Sequence, residues 1–252
     1  MSKLNKFFTN RNTVYHLSES DIHDILNYLE PIKAFARTTY KSIYVIDYME
    51  KGFEYVSDNP LFLCGHTAQE VQEMGYAFYF KHVIPEDLEL LVKINTIGFD
   101  FYEGIPLDER KNHTISYDYN LQNDEGKTIL INQKLTPLFL TPEGKIWKAI
   151  CIISLSTEKK AGNIKIYAKG DNKVFKYDLE GDFWQTTEKI CLTNREKEIL
   201  QFSIRGYTIN EIARTIFVSP DTVKFHRRKL FNKLGVANIS EAIVCATNNR
   251  LI

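Results

Sequence analysis

The chain has 252 residues, 44% hydrophobic and 25% charged, which is ordinary for a globular protein and enough for one large core or two small ones. Its 32 basic and 32 acidic residues cancel, but unevenly: residues 189–252 hold 11 basic against 5 acidic residues, a net of +6, and the first 188 hold 21 against 27, a net of −6. That asymmetry points to a polyanion-binding C-terminus on an acidic partner domain. No apolar run reaches 18 residues, and MSKLNKFFTNRNTVYHLSES has no apolar signal-peptide segment, so no membrane contact is expected and the expected compartment is the cytoplasm. Cys64, Cys151, Cys191 and Cys245 form no CxxC pair, which argues against a disulfide framework or structural zinc.

Residues 1–37 read as a helical flank. Ser18 or Ser20 is placed to cap a helix through DIHDILNYLEPIKAFARTTY, with Ile22, Ile25, Leu26 and Leu29 at amphipathic spacing and Pro31 expected to break or kink it. From Ser42 the period shortens. SIYVIDYMEKGFEYVSDN predicts two strands around a Lys51-Gly52 turn. Short helical pieces follow, and Pro85 with Glu86 and Asp87 is a strong helix start. Three long strands come next: KNHTISYDYNLQ, GKTILINQKLTPLFLT and GKIWKAICIISLS, joined by turns ending in Gly126 and Gly144. Residues 158–188 read as a linker carrying a hairpin around Gly170-Asp171-Asn172, able to extend the sheet or brace the next domain.

Element order, the SDN-P turn and the VIPEDL segment of residues 38–157 together resemble a PAS domain. The resemblance implies a five-stranded antiparallel sheet with short helices on one face, often around a small-molecule cavity and often dimeric. A phosphorylated receiver domain, the main rival, needs alternating strands and helices; here Asp47 is followed by a hairpin.

In residues 189–252 the signals are local and dense. Thr193 with Glu196, and Thr208 with Glu211, are capping-box pairs, each opening a helix. Ser219 is an N-cap, Pro220 suits the first helical position, and Gly235 is a stop. Ser240 is the expected start of a last helix. The third helix sets Val223, Leu230 and Leu234 on one side, and Lys224, Phe225 and Arg228 on another. It carries five basic residues (Lys224, Arg227, Arg228, Lys229, Lys233) against Asp221. Four helices with a tight turn between the second and third make a helix-turn-helix unit, whose third helix fits a major groove.

The runs LTNREKEIL, RGYTINEIA, VSPDTVKFHRRKLFNKLGV and SEA strongly resemble the LuxR-type DNA-binding domain. The resemblance implies a four-helix, all-α domain that binds double-stranded DNA as a homodimer and acts with the transcription machinery. By that resemblance Lys224, Phe225 and Arg228 face base edges. Ser219, Thr222, His226 and Arg227 contact the backbone or orient the helix, Lys233 is a further phosphate candidate, and Ala242, Cys245 and Ala246 lie where the family dimerises. Val223 is placed within the DNA-binding segment, although core packing is its other reading, as packing on the third helix is for the alanine–cysteine trio.

The fold expected is therefore α+β, with an all-α domain following the sheet, and the function that of a regulator whose N-terminal domain senses a signal or dimerises. An N-terminal domain that only docks a protein is one alternative; an enzyme targeted to DNA is another, but no Ser-His-Asp signature, P-loop or HExxH appears. His16, His23, His66, His82 and His113 are scattered. His66 and His82 fall in the PAS-like helical region without a further ligand at metal spacing, so no metal or cofactor is assigned.

Overall fold

Alternation of apolar residues from Ser42 to Glu188 builds a single antiparallel sheet in the computed structural model of the protein, which describes residues 7, 11–14, 28–249, 251 and 252. The chain divides into two units, Met1–Thr187 and Glu188–Ile252. Among the described residues no helix is long and apolar enough to cross a membrane. Ser18, Ser20 and Ile22–Leu26 lie outside the described residues. Helix α1 (Leu29–Thr38) has Pro31 in its first turn. The proline's missing N–H is harmless there, because first-turn amides have no intrahelical partner.

Strands β1 (Ser42–Asp47) and β2 (Gly52–Val56) form the expected hairpin. Helices α2 (Pro60–Leu63), α3 (Ala68–Met74), α4 (Ala77–His82) and α5 (Pro85–Glu103) follow, the last with Pro85 at its start. Then come β3 (His113–Gln122), β4 (Thr128–Leu140), β5 (Ile146–Leu155), β6 (Gly162–Ala168), β7 (Lys173–Asp178) and β8 (Phe183–Glu188). The order is β2-β1-β5-β4-β3-β6-β7-β8. The sheet has eight strands rather than five, because the stretch read as a linker supplies three. Ile164 and Ile166, on alternate positions of β6, are buried, and β6 pairs with β3. The recorded pairings are antiparallel, which excludes the receiver fold.

Register decides which residues meet. Tyr44 lies opposite Cys151, Cys151 opposite Leu135, Leu135 opposite Ile115, and Ile115 opposite Ile166. Residues paired this way share a face. Helical Phe62, Val71, Phe78, Tyr79, Leu91 and Ile94 belong to the same core. One register step away the other face carries Asp47 opposite Lys148, whose Nζ lies 2.6 Å from Asp47 Oδ2 and 2.7 Å from Glu54 Oε2.

Candidate nucleic-acid interface

Local capping organises the second unit. Helix α6 (Asn194–Ile204) and helix α7 (Ile209–Thr215) each open on a complete capping box, from Thr193 with Glu196 and from Thr208 with Glu211. Helix α8 (Pro220–Leu234) is capped by Ser219, whose Oγ accepts the Thr222 amide at 3.1 Å, and it stops at Gly235 with φ of 68°. Helix α9 (Ile239–Asn248) is capped by Asn238, not Ser240, which lies inside its first turn. The Asn238 backbone is extended, so its side chain reaches forward to accept the Glu241 amide at 3.0 Å.

Two small cores hold these helices. Ile199, Ile212, Ala213, Ile216 and Val223 form one; Leu192, Leu200, Leu230, Leu234, Ala242, Cys245 and Ala246 form the other. Two expectations are corrected here. Val223 is fully buried, its β-branched side chain closing the first core, so it cannot reach a base. Ala242, Cys245 and Ala246 are also buried, and cannot form a surface for a second copy. Their small size lets α9 pack closely on the leucines of α6 and α8. The half-exposed apolar residue of α9 is Val244, at 45%.

The outward face of α8 carries Lys224, Phe225, Arg228 and Lys229, all exposed. Lys224 Nζ lies 3.0 Å from Asp221, a pair open to water and weakly held. The Lys229 ammonium stands 4.6 Å from the centre of the Phe225 ring, and the His226 ring meets Phe225 edge-on at 5.6 Å. The aromatic thus links the row of cations. Arg227 is different. Its guanidinium lies over the Phe231 ring and its Nε is buried without a hydrogen-bond partner, so burial lowers its pKa. Ser219 and Thr222 bond to each other at 2.9 Å at the head of the helix. Before them, Phe217 is 93% exposed with φ of 55°, an unusual backbone for an aromatic residue.

Lys233 has partners inside the domain: its Nζ donates to Glu196 Oε2 at 2.8 Å and to the Cys191 carbonyl at 3.1 Å. The same Glu196 oxygen accepts the Thr193 amide, joining the cap of α6 to the C-terminal turn of α8. Burial alone would raise the Glu196 carboxyl, but Lys233 and Thr193 outweigh it and hold the pKa below the usual carboxylate value.

The first unit has an internal feature of its own, a cavity of about 90 Å³ between the sheet and α5, next to Tyr76 and Tyr79. Tyr48, Tyr117, Gln133, Leu135, Asn95 and Phe99 also line it. Gln133 donates to the Tyr117 hydroxyl at 2.6 Å and accepts from Tyr119 at 2.7 Å. Burial pushes the Tyr76, Tyr79 and Tyr117 hydroxyls well above their ordinary range, so they stay neutral. Among the described residues the lining includes no lysine, arginine, aspartate or glutamate.

A capped helix, a tight turn and a third helix with a basic outer face define the second unit as a helix-turn-helix domain. Residues 191–246 match the family of bacterial regulatory proteins, luxR family, and the second unit is a LuxR-type helix-turn-helix domain. The CsgBAC operon transcriptional regulatory protein of Escherichia coli (strain K12) is 46% identical over 66 residues, which are 26% of this chain and 31% of that protein. The chain thus spans about a third of that relative's length. The transcriptional activator protein ExpR of Pectobacterium parmentieri is 25% identical over 190 residues, 73% of this chain and 77% of its own. The solved Vibrio cholera VqmA–ligand–DNA complex covers 93% of this chain and 89% of its own at 19% identity, with a TM-score of 0.35.

Proposed function

We propose that the whole chain is a transcription regulator, not an enzyme, which acts in the cytoplasm by binding double-stranded DNA and engaging the transcription machinery. The observation that carries this reading is the exposed row Lys224, Phe225, Arg228 on the outward face of α8. Lys224 and Arg228 have the donors to bond guanine O6 and N7, and Phe225 offers apolar contact to a thymine methyl. Ser219, Thr222, His226 and Arg227 flank that row as backbone anchors, with Lys229 in place of Lys233. A homodimer fits a two-fold operator; Val244 on the outer face of α9 is its candidate contact, since the alanine–cysteine trio is buried.

The cavity supports a sensing role for the first unit. Its walls are aromatic and aliphatic with a few neutral hydrogen-bonding groups, which suits a small uncharged molecule. Native mass spectrometry of the purified full chain tests this: a retained neutral compound is expected.

For DNA, genomic fragments captured by the protein supply the binding site, and fluorescence anisotropy measures affinity. Lys224→Ala and Arg228→Ala should each relax preference at one base pair by about 1–3 kcal/mol, and Lys229→Ala should weaken all sequences alike, reducing the salt slope by about one. Parental binding by all three would show that α8 does not face the groove.

A further inference from the structure

His66, in the turn after α2, and His82, the last residue of α4, bring their Nε2 atoms within 3.0 Å of each other. Asp124, in the β3–β4 turn, places a carboxylate oxygen 3.6 Å from His66 Nε2. The neighbours of the rings settle which nitrogens carry lone pairs. A carbonyl only accepts, so His82 Nδ1, 2.8 Å from the Gln122 carbonyl, holds the hydrogen and leaves a lone pair on Nε2. An ammonium only donates, so Lys81 Nζ, 3.0 Å from His66 Nε2, requires a lone pair there as well. Two lone pairs and a carboxylate thus converge on one volume, an arrangement that is repulsive without a cation among them. Lys81 partly fills that role, since its ammonium also lies 3.0 Å from Asp124.

The dimensions suit a metal. The three donor atoms lie within 4.8 Å of one another. A tetrahedral zinc ion with bonds of about 2.0–2.1 Å sets its ligand atoms roughly 3.3 Å apart, between the 3.0 and 3.6 Å found here. Orientation of a ligand imidazole by a backbone carbonyl, as at His82, is the usual support for such a site. Access is available as well: His82 is buried, His66 is partly exposed and Asp124 faces water.

We propose that His66, His82 and Asp124 bind one divalent transition-metal ion of the zinc class, which displaces the Lys81 ammonium and keeps a fourth position open to water or a small ligand. Bound metal would tie the His66 turn and α4 to the β3–β4 turn.

The test uses untagged full-length protein, stripped with a chelator and dialysed. Isothermal titration with zinc chloride should show one equivalent bound in the micromolar range or tighter, and cobalt(II) should give the visible absorption of a tetrahedral site. Asp124→Asn, in an exposed turn, and His66→Gln should each weaken zinc binding by about 10- to 100-fold or more, with circular dichroism unchanged. Lys81→Met should tighten it by roughly 2- to 5-fold, the worth of the exposed ion pair it removes. No saturable binding below millimolar zinc, or parental affinity in both ligand variants, would overturn the proposal; the Lys81 ammonium would then be the cation that serves this cluster.

Discussion

Each unit contains a lysine committed to carboxylates, and the two arrangements do different work. In the sheet, Lys148 is 8% exposed and sits between Asp47 and Glu54, with Tyr28 hydrogen-bonded to Glu54 beside them. Asp47 and Lys148 are directly opposed in a ladder that the backbone has already aligned. Among its described residues the helical unit has no such ladder. Lys233, 34% exposed, reaches Glu196 across two helices, and the carboxylate it meets is also a helix cap. The sheet pair therefore adds to an alignment fixed by other means, whereas the helical pair helps set how α6 lies against α8. A small domain without backbone ladders between its elements leans on a few side chains for that alignment.

The contrast can be broken at several points, beginning with packing. Leu200 is fully buried in the smaller unit, and Leu200→Ala should cost about 3 kcal/mol, a large share of what a domain of that size has. Calorimetry should show the transition of residues 188–252 falling and that of the sheet unit unmoved; a common fall would mean that the two cores are not independent.

Glu196→Gln should cost about 2 kcal/mol at neutral pH, less than for a fully buried pair because Lys233 keeps some solvent. The folded carboxyl titrates below its unfolded value, near 4.3. Its contribution is thus present above that value and lost as pH falls through the folded one. Urea melts at descending pH should show parent and variant converging only once the pH has fallen below the usual carboxylate range; a constant gap would place the effect outside the Glu196–Lys233 pair.

Thr208→Ala should be the mildest, about 1 kcal/mol, because it removes one exposed cap and leaves the core untouched. A loss comparable to that of Leu200→Ala would mean that caps, not cores, dominate this unit.

Legibility in the sequence followed the range of the interactions. The caps at Thr193, Thr208 and Ser219 and the stop at Gly235 are written within four residues, so the helix-turn-helix could be laid out before any coordinates. The strand pairs around Lys51, Gly126 and Gly144 were legible for the same reason. Amphipathic spacing showed that Ala242, Cys245 and Ala246 share a face of α9, but spacing does not say whether that face meets its own domain or another copy. Lys233 looked like one more cation on a basic helix because its partner lies 37 positions away. The register that brings Lys148 to Asp47 spans 101 positions, and Asp124 is 58 residues from His66. Strands β6 and β7 were visible as a hairpin around Gly170, whereas β8 was not; the place of β6 in the sheet is set by its pairing with β3.

The four cysteines offer very unequal chemistry. Burial pushes the Cys64 and Cys151 thiols up to about 12, and Cys245 is buried on the inner face of α9, whereas Cys191 is exposed. A thiol-selective dye at neutral pH would mark one position in preference to the rest. That position carries the carbonyl that accepts from Lys233. Without any engineered residue, the chain thus provides an attachment point for a fluorophore at the junction of α6 and α8, from which opening of the DNA-binding unit could be followed in real time.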